Sequence, residues 1–138
     1  IWALNPQNDT LENLLAYIRE QSHQYFESMN VQFDIYFPDA LPDIKLSNVQ
    51  RRNLYLVTRE ALNNAMKHSG ADIIQLKMKV AKSIFCFSVT DNGKGMCENK
   101  SHGSNGIRNM KKRMKDIGGT IEWLQQPPGT AVKYCLAI

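Results

Sequence analysis

Residues 83–95 read Ser-Ile-Phe-Cys-Phe-Ser-Val-Thr-Asp-Asn-Gly-Lys-Gly, "SIFCFSVTDNGKG". Phe85, Phe87 and Val89 alternate with Cys86, Ser88 and Thr90, the period of a strand with one covered face. Asp91 continues the alternation on the apolar side, where a carboxylate is costly unless a donor meets it. Two readings stay open on these residues alone. Asp91 caps the turn that follows, as strand-end aspartates do through their own backbone. Alternatively it receives a ligand donor such as the exocyclic amine of adenine, with Gly93 and Gly95 letting the main chain lie against a flat ring.

On the N-terminal side, "IIQLKMKV" predicts a partner strand with Ile74, Leu76, Met78 and Val80 on one face and Gln75, Lys77 and Lys79 on the other. Before it, a long helix is predicted over roughly 47–69, ended by Gly70, with Leu54, Val57, Ala61, Leu62, Ala65 and Met66 as its apolar stripe. Further upstream, "NDTLENLLAYIREQSHQYFESMN" predicts a helix capped by Asp9, with Glu12 completing a capping box. "VQFDIYF" switches to period two and predicts a strand, and "PDALPD" a loop. Beyond the glycines, "GIRNMKKRMKDIGG" predicts an amphipathic helix with Ile107, Met110, Met114 and Ile117 inside and Gly118 as C-cap. Strands "TIEWLQ" and "TAVKYCLAI" close the chain around a "QPPG" turn. The order α-β-α-β-β-α-β-β suggests a two-layer α/β sandwich.

The 138 residues, 43% hydrophobic and 22% charged, are one domain's worth with material for a core. No apolar run approaches the ~20 residues a membrane-spanning helix needs. The first residues, "IWALNP", lack a Met, so the chain reads as a piece of something longer. A net charge of +4 suits nucleic acid, an anionic surface or a phosphorylated small molecule. Cys86, Cys97 and Cys135 are odd in number and show no metal-ligand spacing, so they read as separate reduced thiols.

Two further constellations carry chemistry. In "REALNNAMKHSG", Glu60, Asn64, Lys67 and His68 fall in one column of the helix. Such a column is a solvated face with a Glu60/Asn64 pair, or a magnesium-triphosphate site. An amide oxygen suits a hard cation, a lysine suits phosphate, and a carboxylate can orient a nucleophile or take its proton. In "HGSNGIRNMKKRM", Gly103 and Gly106 precede a helix whose free N–H groups favour an anion, with Arg108, Lys111, Lys112, Arg113 and Lys115 nearby. A plain basic surface helix is the alternative. The aromatic interleaving of a nucleic-acid surface is absent, so no direct nucleic-acid partner is expected.

These signals follow one another over about fifty residues, and in that order the chain resembles the GHKL (HATPase) family, specifically the catalytic ATP-binding domain of a bacterial sensor histidine kinase. "REALNNAMKHSGA" resembles the N-box, "DNGKGM" the G1 box, "HGSNGIRNMKKRM" the G2 region and "PPGTAVKYCLAI" the closing strand. The resemblance covers nearly the whole chain. It implies the Bergerat fold, a mixed sheet of about five strands covered on one face by three helices, as a single domain over 1–138. Residues 1–8 are similar to the junction after the dimerisation helices in the subfamily whose response regulators carry helix-turn-helix outputs.

The cofactors the resemblance implies are ATP and Mg2+. Asn64 would bind magnesium and Asp91 would hydrogen-bond adenine. Gly93 and Gly95 would shape the base pocket, Lys67, His68 and Gly106 would face the phosphates, and Thr130 would lie near adenine. Met96, Gly103 and Ile107 join that nucleotide-binding set, residues 96–105 form the ATP lid, and Glu60 matches the N-box acid as the catalytic residue. Many relatives carry Gly-x-Gly-Leu before the last helix; here Ser104-Asn105-Gly106-Ile107 stands there, and Gly103 is displaced by one position.

The function implied is transfer of the ATP γ-phosphoryl group to a histidine on an upstream dimerisation domain, within a homodimer and for two-component signal transduction. A response regulator is the indirect partner. The domain would be cytoplasmic, in a membrane-anchored parent. His23, His68 and His102 do not match an acceptor site, so the chain is expected to bind ATP without accepting phosphate itself. The alternatives are a serine kinase resembling anti-sigma-factor kinases, and an interaction domain with a degenerate pocket.

Overall fold

A computed structural model describes residues 9–68, 70–93, 105–126 and 129–137. The elements are α1 (Leu11–Phe26), β1 (Gln32–Tyr36), α2 (Asn48–His68), β2 (Ile73–Ala81), β3 (Ile84–Asp91), α3 (Asn105–Asp116), β4 (Thr120–Gln126) and β5 (Gly129–Ala137). Their order is the expected one. The strands form one mixed sheet, β1-β2-β3-β5-β4, in which β1 and β2 are parallel and every other neighbouring pair is antiparallel.

Alternation decides which face of the sheet is covered. Ile74, Leu76 and Met78 of β2, Phe85, Phe87 and Val89 of β3, and Val132, Tyr134 and Leu136 of β5 are all buried. They join one core with Leu14 and Ile18 of α1, Leu54, Val57 and Ala61 of α2, and Met110 and Met114 of α3. Phe26 of α1 stacks on Phe33 of β1 at 4.4 Å and ties the two layers, while Phe87 stacks on its β5 register partner Tyr134 at 5.3 Å within the sheet. The other face carries Lys77, Lys79, Ser88 and Lys133. This is the expected two-layer α/β sandwich with three helices on one side of five strands.

Three local expectations change. The cap of α1 is Thr10, not Asp9: Thr10 is extended (φ −98°, ψ 155°) and its hydroxyl accepts from the Asn13 N–H at 3.1 Å. The Asp9 carbonyl instead accepts from the Leu46 N–H at 2.7 Å, in a short antiparallel contact that fastens the start of α1 to residues 44–46. The true capping box sits at α2, where the Ser47 hydroxyl accepts from the Gln50 N–H (3.1 Å) and the Gln50 side chain accepts from the Ser47 N–H (2.8 Å). The cysteines are the third change. Strand register sets Cys86 directly opposite Cys135, and the two form a disulfide joining β3 to β5 on the uncovered face. Their separation of 49 residues in sequence gave no sign of this.

Gly70 follows α2 at φ +63°, a left-handed turn that most side chains resist, and sends the chain directly into β2. At the centre of the core, the Tyr134 and Thr58 hydroxyls hydrogen-bond each other, joining β5 to α2, while Thr58 also donates to the Leu54 carbonyl (2.9 Å).

Burial holds the Tyr134 hydroxyl above its ordinary value near 10, and the Thr58 bond only partly offsets that. Above pH 10 the unfolded chain sheds a proton that the folded chain keeps, so this group's contribution is present below about pH 10 and lost as pH rises beyond it. Tyr134→Phe is expected to cost about 1 kcal/mol at pH 7 and to flatten the alkaline loss of stability. Urea denaturation at pH 7 and pH 10.5 checks both.

Candidate functional site

Topology gathers the sequence's chemical residues at one end of the molecule. β3 ends at Asp91, which pairs with Ile74 near the start of β2. Only residues 69–72 separate that start from the end of α2, so the Asn64–His68 end of α2 lies at the same edge. β5 runs antiparallel to β3, so its first residues, Gly129 and Thr130, begin there too.

At the strand ends, the Asp91 Oδ1 accepts from the Gly93 N–H at 2.9 Å. The turn reading of Asp91 is therefore real, and it leaves the ligand reading intact, because a carboxylate has about four lone-pair sites. Gly129 comes against the same residue. A Cβ added to Gly129 would lie 1.8 Å from the Asp91 carbonyl oxygen and 2.7 Å from its Oδ1. Only a bare backbone fits. Beside it, among the described residues, the Thr130 Oγ1 is buried and has no hydrogen-bond partner. A buried hydroxyl without a partner costs roughly 1–3 kcal/mol, a cost that an incoming polar group or water removes.

On the helix side, Glu60 and Asn64 face the first turns of α3. A Cβ on Gly106 would lie 2.7 Å from the Glu60 Oε1. The Asn64 Nδ2 donates to the Met110 sulfur at 3.9 Å. Of the two readings of the column, the one with a Glu60/Asn64 pair is not the bonding seen: the Glu60 Oε2 accepts from Asn63, at 3.4 Å, and Asn63 in turn accepts from the Tyr25 hydroxyl at 2.9 Å. The far end of α3 is tied to α2 as well, by the Asn53 amide donating to the Arg113 carbonyl at 2.9 Å. Met110 and Met114, both fully buried, hold its middle. The last helix is thus fastened to the first half and the second half of α2.

Lys67 is exposed at the end of the column. A groove of about 720 Å³ runs between α1, α2 and α3, lined by Glu60, Asn63, Lys67, Arg59 and Arg113 among others. It contains the acid and the basic groups but not Asp91 or Thr130. Gly95, Met96, Gly103 and the His68 side chain lie outside the described residues, as does most of the expected lid; its last residue, Asn105, is the first of α3. Among the described residues no three His, Cys, Asp or Glu side chains cluster to hold a metal by themselves. No described helix is long and apolar enough to cross a membrane.

Sequence reading missed Gly129 and Asn92. Gly129 was visible only as part of "PPGT", and nothing local says that it touches Asp91. Asn92 takes two backbone N–H groups of the β2 entry, at 2.9 and 3.0 Å.

The fold and the gathered strand and helix ends define the class, an α/β sandwich with one edge where a close-packed backbone glycine, a carboxylate and a helix column meet. The family model described as "Histidine kinase-, DNA gyrase B-, and HSP90-like ATPase" matches residues 49–137, and the chain belongs to that family. It is 27% identical over 95 residues to "Sensor protein VraS" of Staphylococcus haemolyticus, which covers 67% of this chain and 27% of that protein. With "Sensor histidine kinase LiaS" of Bacillus subtilis it shares 29% over 114 residues, covering 81% of this chain and 30% of the relative. The chain therefore spans little more than a quarter of the length of these curated relatives.

Among solved structures it is similar in fold to the nucleotide-free catalytic domain of histidine kinase ThkA (TM-score 0.76, 16% identity, 93% of each chain). A second likeness is to the histidine kinase domain of the Erythrobacter litoralis EL346 blue-light activated kinase (TM-score 0.74, 18% identity, 90% of this chain and 60% of that one).

The two close glycines should respond differently to a methyl group. Gly129→Ala meets backbone and is expected to cost about 3 kcal/mol. Gly106→Ala meets only the movable end of Glu60 and gains helix propensity, so it should stay within about 1 kcal/mol of neutral. Denaturant melts of the two variants check the contrast.

Proposed function

We propose that this chain is the catalytic ATP-binding domain of a sensor histidine kinase, which binds Mg-ATP and passes the γ-phosphoryl group to a histidine on a dimerisation domain of the same longer protein. The observation that carries this reading is the edge where Asp91, Gly129 and a Thr130 Oγ1 without a partner among the described residues lie together, at the end of the molecule where α2 brings Asn64 and Lys67. Family membership and the names of the relatives support it.

Asp91 accepts the exocyclic amine of adenine. Guanine offers a carbonyl at that place, which would leave a buried acceptor unpaired. The base offers the Thr130 hydroxyl a polar partner; Gly93 serves the base pocket beside Asp91, and the family motif assigns Gly95 and Met96, outside the described residues, to the same role. Lys67, His68, Gly103, Gly106 and Ile107 serve the phosphate end, where the first N–H groups of α3 favour an anion. The Asn64 amide oxygen would hold a magnesium ion, which would supply charge neutralisation at the phosphates.

In the transfer, an imidazole nitrogen of the acceptor bonds to the γ-phosphorus as the bridging P–O bond breaks and ADP leaves. Glu60 orients that imidazole and takes its proton. Most of the catalytic effect is positioning and electrostatics. The partners are the chain's own upstream dimerisation domain, as a homodimer, and indirectly a response regulator. In a membrane-anchored parent this domain would lie on the cytoplasmic side.

Calorimetric titration with ADP and a non-hydrolysable ATP analogue, with magnesium and beside GDP, tests the pocket. Adenine-selective binding that weakens by about tenfold or more in Asp91→Asn is expected. No binding at millimolar nucleotide would point to an interaction domain instead. In the full-length parent, incubation with γ-labelled ATP should give acid-labile phosphate on histidine, lost in Asn64→Ala; acid-stable phosphate on a serine of a separate protein would favour the serine-kinase alternative.

A further inference from the structure

Asn92 directly follows Asp91, and both its side chain and its main chain bond to the entry of β2. Its side-chain Oδ1 accepts from two consecutive backbone N–H groups, Asp72 at 2.9 Å and Ile73 at 3.0 Å. Its own N–H donates to the Ile73 carbonyl at 3.2 Å, which carries the β2–β3 pairing one residue past Asp91. The turn after Asp91 is therefore latched to the connection between α2 and β2. On the opposite side of Asp91, the Gly129 backbone closes in, leaving no space for a Cβ.

With the main chain held from both sides, the Asp91 carboxylate keeps only its own two side-chain torsions, and the Gly93 N–H takes one of its oxygens. A short polar side chain at position 92 is what makes this possible: one oxygen with two lone pairs can meet two adjacent N–H groups only from close range. Leaving those two donors unmet at the edge of the sheet would let the turn shift, and an acceptor displaced by an ångström loses much of its discrimination.

We propose that Asn92 is a positioning residue for base selection, acting through Asp91 by latching the turn to the start of β2. The proposal rests on the reading of Asp91 as the adenine acceptor. It predicts that position 92 governs the preference between bases, beyond the overall affinity for nucleotide.

The test is the ratio of dissociation constants for IDP and ADP, measured calorimetrically on this chain at a temperature well below each variant's melting point. IDP carries a carbonyl where ADP carries the amine. Asn92→Ala is expected to shrink the wild-type ratio about tenfold, one charge-assisted hydrogen bond's worth of discrimination. Asn92→Asp, which keeps both acceptor positions, is expected to restore it to within about threefold. Asn92→Ser, whose oxygen sits one bond nearer the main chain than the Asn92 Oδ1 and so falls short of the two N–H groups, should behave as Ala and carries the comparison if the Ala variant does not fold.

A role in stability alone would lower the melting temperature and weaken both nucleotides together, leaving the ratio unchanged; that result overturns the proposal. Asp91→Asn separates the two claims. If it abolishes the preference while the Asn92 variants keep it, the latch is wrong and the adenine reading stands. If Asp91→Asn keeps the preference, the adenine reading itself fails.

Discussion

A carboxylate stands at the helix-facing end of the central strand, and meeting its demand for donors without filling the space in front of it is the constraint that shapes this edge of the molecule. Asp91 lies at the end of β3, between β2 and β5. One donor comes from its own turn, the Gly93 N–H. The neighbouring strand approaches through Gly129, where any side chain would collide with the Asp91 backbone. The surroundings are therefore small and mostly main chain. The buried Thr130 hydroxyl on the neighbouring strand lacks a partner among the described residues.

The second organising feature is α2, which carries polar groups on more than one side and uses each differently. Its buried residues are mostly apolar, and the bond of buried Thr58 with Tyr134 ties the helix to β5. Arg51 and Asn53 are buried yet satisfied, Arg51 by the Leu46 carbonyl and Asn53 by the Arg113 carbonyl of α3. Those bonds place the ends of neighbouring segments, which apolar packing alone does loosely because it has no direction. The result is a rigid platform. Glu60 and Asn64 face α3 from it, and the proposed phosphate end is built on helices held at both ends.

Much of this was legible in the sequence. The period-two runs at β2 and β3 and the apolar stripe of α2 predicted both the elements and their buried faces, because a side chain's direction in a strand or helix follows from spacing alone. The helix column and the D-x-G-x-G turn singled out Glu60, Asn64 and Asp91 as candidates for the same reason. The misses share a cause. Thr10 replaced Asp9 as the cap because Asp9 is engaged by Leu46, 37 positions away in the chain (46 − 9). Cys86 found Cys135 through strand register. Gly129 and Asn92 matter through contacts with Asp91 and with the β2 entry, none of them local.

By itself, then, the sequence determined the elements, the faces they bury and the kind of chemistry present, since these depend on interactions among residues a few positions apart. Tertiary structure decided who meets whom: the sheet order β1-β2-β3-β5-β4, the disulfide, the docking of α3 against Glu60 and Asn64, and the latch of Asn92 onto residues 72 and 73. Such pairings form only once the whole core has closed. Their free energy is shared across the fold, and no short stretch of residues encodes it.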